Sequence, residues 1–188
     1  NEPDVSYHGV VYTEALGEAA FIGRARVVPL RNMGAAISPF NVFLILQGLE
    51  TLSLRMDRTC ENTMKIAQFL QAHGKVSWVN YAGLPDHKDY PLVRKYMGGK
   101  ASGILTFGVK GGLAAGGRFQ DALGLFTRLV NIGDVRSLAC HPASTTHRQL
   151  SPAELARAGV SEDMVRLSIG IEHSDDLIAD LDQALTAA

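Results

Sequence analysis

The stretch Val165-Arg166-Leu167-Ser168-Ile169-Gly170-Ile171-Glu172 alternates apolar and polar residues with a period of two, the pattern of a β-strand with one buried face. Val165, Leu167, Ile169 and Ile171 are therefore expected in a core, with Arg166 and Ser168 turned the other way. A guanidinium in that position presents a planar fork of donors that fits a carboxylate. From the stretch alone, Arg166 reads as a solvated charge on an edge strand. A setting that needs a carboxylate anchor would change that reading.

Working outward, strands alternate with helices. Residues 76–81 read as a strand followed by the turn Gly83-Leu84-Pro85, and residues 90–97 as a short helix. Residues 103–109 form a strong strand. Residues 113–129 read as a helix with Phe119, Leu123, Phe126 and Val130 on one face. A short strand over 137–140, one or two helical turns over 152–157 and the opening strand follow. The last helix starts at Ser174 as N-cap, with Asp175 and Asp176 favourably placed in its first turn. This order predicts a two-layer α/β domain, a sheet covered by helices.

Upstream, Ser38-Pro39 is a strong helix start. No proline appears before Gly74, so the pattern predicts one helix of about 34 residues, roughly 50 Å long. Its first half is apolar almost all round (Phe43, Leu44, Ile45, Leu46, Leu49, Leu52), and its second half carries a single stripe (Met64, Ala67, Phe69, Leu70). Such a helix lies against a large body at one end and a smaller domain at the other. Gly48 is a candidate kink. Residues 7–12 read as a short strand or arm, and residues 14–30 lean helical but are interrupted by Gly17, Gly23 and Pro29.

Composition sets the bounds. The chain has 188 residues, 46% apolar and 20% charged, with net charge −1, so no global field favours nucleic acid or an anionic membrane. No run approaches the ~20 apolar residues of a membrane span. Cys60 and Cys140 read as reduced, buried thiols of a cytosolic, hence cytoplasmic, protein. A chain opening Asn1-Glu2-Pro3-Asp4 reads as a piece of something longer.

No self-contained catalytic apparatus is visible. The glycines at 111–117 follow a strand, but Arg118 and Phe119 stand where a phosphate loop needs Lys and then Ser or Thr. The six histidines include no HExxH pair, which argues against a metal site. There is no GxSxG elbow, and none of the six lysines sits in a setting that would depress its pKa. The loop from Asn131 to His147 is rich in polar and small residues; it suits a site lining and a well-capped connection about equally.

Several motifs nevertheless resemble the Cys/Met-metabolism family of pyridoxal-phosphate enzymes. They are Gly48-Leu49-Glu50-Thr51-Leu52 with Arg55, Asn80-Tyr81-Ala82-Gly83-Leu84-Pro85, residues 137–147, and residues 165–172 with 180–185, in family order across nearly the whole chain. Tyr7-His8-Gly9, residues 34–41 and residues 131–147 are most similar to the branch that sulfhydrylates O-acetylhomoserine. Cystathionine γ-synthases and γ-lyases and methionine γ-lyases are the alternative relatives; the cystathionine lyases usually carry Glu where Arg136 stands. A non-enzymatic α/β interaction domain is the alternative of another class.

The resemblance implies the small C-terminal domain of an aspartate-aminotransferase-like fold over residues 74–188. Residues 1–73 would be the tail of a large cofactor domain plus a long bridging helix. It implies pyridoxal phosphate for the parent enzyme but not for this chain, because the imine-forming lysine in its Ser-x-Thr-Lys setting, the Asp facing the pyridine nitrogen and the ring-stacking Tyr are not in this sequence. Carried over by motif, Arg166 holds the substrate α-carboxylate, Ser137 orients the substrate through its backbone, and Arg136 faces the substrate side chain. The implied partners are an amino-acid substrate, the missing large domain and further copies in a homotetramer. The implied reaction is γ-replacement by sulfide or a thiol, and this chain by itself is expected to be inactive.

Overall fold

The computed structural model describes residues 1–188, which divide into two compact units, Asn1–Glu50 and Thr51–Ala188. In the first unit, Asp4 caps a single 3-10 turn over Val5–Tyr7 and its backbone bridges to Val10. Short helical pieces follow: α1 (Tyr12–Leu16), a 3-10 turn (Gly17–Ala19), α2 (Ala20–Ala25), a π turn (Arg26–Leu30) and α3 (Arg31–Met33). Gly17 and Gly34 have positive φ at two of these breaks, a conformation that glycine adopts without cost. The residues expected as a strand at 7–12 are thus a turn and a helix start.

Ser38 accepts the Asn41 amide and opens α4 (Pro39–Glu50). Its apolar side chains are exposed nearly all round: Phe40, Phe43, Leu44, Ile45, Leu46 and Leu49 are each more than half accessible. The single 34-residue helix predicted from sequence is not formed. Thr51 leaves helical geometry at φ −108° and ψ 5°, and α5 (Leu52–Ala72) starts after it. Thr51 is β-branched, which lowers its helix propensity, and its Oγ1 accepts the Nε–H of Arg55. The break therefore falls at Thr51 and not at Gly48. The compact units also part there, and Ile66, Ala67 and Leu70 of α5 belong to the core of the second unit.

That second unit is built on a mixed five-stranded sheet in the order β1-β2-β5-β4-β3. Its strands are β1 (Val76–Asn80), β2 (Ile104–Val109), β3 (Thr127–Arg128), β4 (Leu138–Cys140) and β5 (Met164–Ser168). All pairs are antiparallel except β3 with β4. α6 (Tyr90–Tyr96) lies between β1 and β2, α7 (Gly112–Ala122) between β2 and β3, α8 (Pro152–Arg157) before β5, and α9 (Ser174–Ala187) closes the chain.

Period-two alternation divides the sheet as expected. Leu105, Phe107, Val165, Leu167 and Ile169 pack with Phe119 of α7 and Leu177, Leu181 and Leu185 of α9. Each is almost fully buried, worth about 1.5–3 kcal/mol per large side chain. Phe107 and Phe119 meet edge to face at 5.6 Å. Two expectations for the opening stretch change. β5 is the central strand rather than an edge, and Ile171 lies beyond it and is exposed.

The helix expected over 113–129 stops at Ala122. The carboxylate of Asp180, 55 residues away on α9, accepts the amides of Gly124, Leu125 and Phe126 at 2.8–3.1 Å. These amides are held out of a continuing helix, and the chain enters β3. Ser174 is likewise one place inside α9: His173 is the N-cap, while buried Ser174 receives the Lys65 ammonium.

Candidate functional site

Arg166 sits at the middle of the sheet's second face. Register places Thr106 directly opposite it on β2, Cys140 on β4, and Asn80 beyond Thr106 on β1. Opposed residues on one face of an antiparallel pair have their Cβ atoms about 4.5–5.5 Å apart. Arg166 is half-buried and makes one hydrogen bond, from Nη2 to the carbonyl of Asn131 at 3.4 Å. It forms no ion pair. A guanidinium has five N–H donors, so most of its capacity for an anion is unspent.

Asn131 opens the loop that leads to Ser137. This loop is anchored to the end of the opening stretch: the Ile171 amide donates to the Val135 carbonyl. Ser137 is fully buried. Its amide donates to Glu172 Oε1 at 2.6 Å, its hydroxyl donates to Oε2 at 2.9 Å, and its Oγ accepts the Gly170 amide at 2.8 Å. Behind them, Asn62 of α5 donates its side-chain amide to the carbonyls of Gly170 and Glu172. The Ser137 amide is therefore fixed by Glu172, and Asn62 in turn holds the 170–172 backbone.

Arg136 is placed differently. Two-thirds of its side chain is accessible, and it turns back on Asp134, whose Oδ1 accepts its amide at 3.0 Å and faces its Nε at 3.5 Å. The backbone N–H of Arg136, then its side chain, holds the Asp134 carboxyl below its ordinary value. The structure thus brings Ser137 and Arg166 to one region of the sheet and leaves Arg136 at the surface beside it. A separate cavity of about 120 Å³ is lined by Met56, Thr59, Ile104, Asp134, Ser168 and Ile169 among others, and none of Arg136, Ser137 and Arg166 lines it.

Sequence reading missed Glu172, although it ends the opening stretch, and missed Asn62. The signal for Asn62 was its place one turn ahead of Ile66 and two ahead of Leu70, an amide on a buried stripe. His141 proves structural: its amide donates to Gln120, Nε2 donates to the Glu162 carbonyl, and Nδ1 accepts from Ser144. The glycine-rich segment is mostly helix α7, and a Cβ on Gly116 would fall on the His141 ring. Both cysteines are free and buried; burial pushes the Cys60 thiol up. No three His, Cys, Asp or Glu side chains converge as a metal site, and no helix is long and apolar enough to cross a membrane.

The family model of the Cys/Met metabolism PLP-dependent enzymes matches residues 6–186, and the chain belongs to that family. It is 54% identical to O-acetyl-L-homoserine sulfhydrylase 1 of Thermus thermophilus over 98% of its own length and 44% of the relative's. It is 46% identical to homocysteine synthase of Schizosaccharomyces pombe, covering all of this chain and 44% of that one. A crystal structure from Campylobacter jejuni, assigned as an O-acetylhomoserine (thiol)-lyase and carrying a pyridoxyl-lysine phosphate, superposes with a TM-score of 0.84 at 44% identity. This chain covers 44% of that one too, so it spans less than half the length of its relatives.

The family's cofactor bonds to a lysine, and the residues present do not supply such a site. All six lysines are exposed. Lys65 is held by Ser174, Lys100 by Asp57 and Lys110 by the Gly74 carbonyl, while Lys95 lies over Tyr96. What this chain offers is a cation and an ordered backbone for an anionic group.

Proposed function

We propose that this chain is the substrate-anchoring C-terminal part of a pyridoxal-phosphate enzyme. The parent would replace the acetoxy group of O-acetyl-L-homoserine with sulfide or a thiol, giving homocysteine or methionine. Arg166 holds the substrate α-carboxylate, Ser137 orients it through its fixed backbone, and Arg136 faces the side-chain end. The observation that carries the reading is Arg166: a guanidinium on the central strand, without an ion pair, beside a backbone locked by Ser137, Glu172 and Asn62. Similarity to the sulfhydrylases and homocysteine synthase named above supports the choice of reaction.

In the same reading, residues 74–188 are the small domain of an aspartate-aminotransferase-like fold, and residues 1–73 are the end of the large domain with its linking helix. The exposed apolar side chains of α4 support a missing large-domain partner. The parent is a cytoplasmic homotetramer of methionine biosynthesis; two free, buried thiols suit a reducing compartment. The cofactor's chemistry comes from residues outside this chain. Within it, Arg166 supplies position, and losing one such charge-assisted anchor weakens productive binding by about 1.5–3 kcal/mol.

The test has two arms. The full-length enzyme should form homocysteine from O-acetyl-L-homoserine and sulfide, and Arg166→Ala should cut kcat/KM at least tenfold. This chain alone, mixed with pyridoxal phosphate, should develop no stoichiometric visible absorbance. Such colour at one of the six lysines would sink the reading that the cofactor site lies elsewhere.

A further inference from the structure

Beside Arg166, one hydroxyl has its hydrogen-bonding sense set by a chain of partners. The Asp89 amide, which can only donate, lies 3.1 Å from His87 Nδ1. That nitrogen is therefore the acceptor, and the ring proton is on Nε2. Nε2 lies 2.8 Å from Asn80 Oδ1, so the Asn80 carbonyl faces the imidazole and its NH2 group faces away. Asn80 Nδ2 donates to Thr106 Oγ1 at 3.4 Å. Thr106 thus accepts from the β1 side, and its own proton has no protein acceptor. Arg166, its cross-strand neighbour on the other side, is donor-only. Two donors with unspent capacity therefore stand opposite each other on one half-buried patch.

We propose that Thr106 is a second binding residue for the substrate carboxylate, donating its hydroxyl next to the Arg166 guanidinium. His87 and Asn80 are positioning residues that hold the hydroxyl in the donating sense. The inference rests on the reading of Arg166 as the carboxylate anchor. It adds a neutral donor that lies 60 positions from Arg166 in the chain and that the motif resemblance does not assign. A donor of this kind binds ground state and transition state alike, so its loss should appear in KM with kcat little changed.

Steady-state kinetics of the full-length enzyme with O-acetyl-L-homoserine provide the test. Thr106→Val preserves the β-branched shape and should raise KM about tenfold with kcat within about twofold, while Thr106→Ser should restore KM. Asn80→Ala should raise KM about two- to threefold alone and add nothing in the Thr106→Val background, since it acts only through that hydroxyl. A wild-type KM for Thr106→Val, with a raised KM for Arg166→Lys, overturns the inference and leaves the anchor reading standing. Wild-type KM in both overturns the anchor reading and the inference with it. Additive effects of Asn80→Ala and Thr106→Val overturn the positioning chain. If the valine variant does not fold, Thr106→Ala replaces it, with the same outcomes deciding.

Discussion

Ser137 and Glu172 clasp one another across 35 residues of chain, with one carboxylate taking both the amide and the hydroxyl of the serine. The clasp ties the loop after Asn131 to the end of the central-strand stretch, and so joins the two parts of the candidate site.

Removing the carboxylate should therefore loosen the site and the fold together. Glu172→Ala leaves the fully buried Ser137 amide without its acceptor, and the expected loss is about 2–3 kcal/mol. Glu172→Gln, which keeps one acceptor oxygen, should lose less. Urea unfolding midpoints of the second unit, read at the chain's single tryptophan, Trp78, check both.

Two neighbouring glycines should respond with opposite sign. In an open helix position, Gly→Ala gains up to about 1 kcal/mol. A methyl added at Gly117 would meet nothing within 4 Å, so Gly117→Ala should stabilise. At Gly116 the methyl meets the His141 ring, which is held at both nitrogens and cannot step aside. Gly116→Ala should lower Tm while Gly117→Ala raises it.

Asp180 should give the fold part of its acid sensitivity. Burial opposes its charge, but the Gly124, Leu125 and Phe126 amides and Gln183 outweigh that and hold its carboxyl below its ordinary value of 3.8. A depressed folded-state pKa contributes stability above the unfolded value, and that contribution is lost as pH falls through the folded one. Wild-type stability should thus decline from about pH 4 downward. Asp180→Asn should be less stable at neutral pH and flatter in that window, by chemical unfolding at a series of pH values.

Much of the second unit was legible because its signals are local. Alternation in Val165–Ile169 marks a strand whatever surrounds it, and Ser151 with Glu154 forms the capping box that opens α8 at Pro152. Two of the misread ends share one cause. The helix over 113–129 was cut short by Asp180 from another helix, and Ile171 left the strand when its amide went to Val135. Thr51 broke a helix whose propensities alone would let it continue. In the first two cases a partner outside the local pattern took a backbone group, whereas the partner of Thr51 is local, the Arg55 guanidinium four residues on.

Sequence by itself determined the family, the strand that carries Arg166 and the apolar excess of α4, because these depend on residue identity and short-range period. Tertiary structure alone decided that the strand is central, that Glu172 clasps Ser137 while Asn62 holds Gly170 and Glu172, and that Thr106, Asn80 and His87 line up beside Arg166. Strand order and register are chosen by long-range packing of the two faces, and no period within one strand encodes which neighbours it will meet.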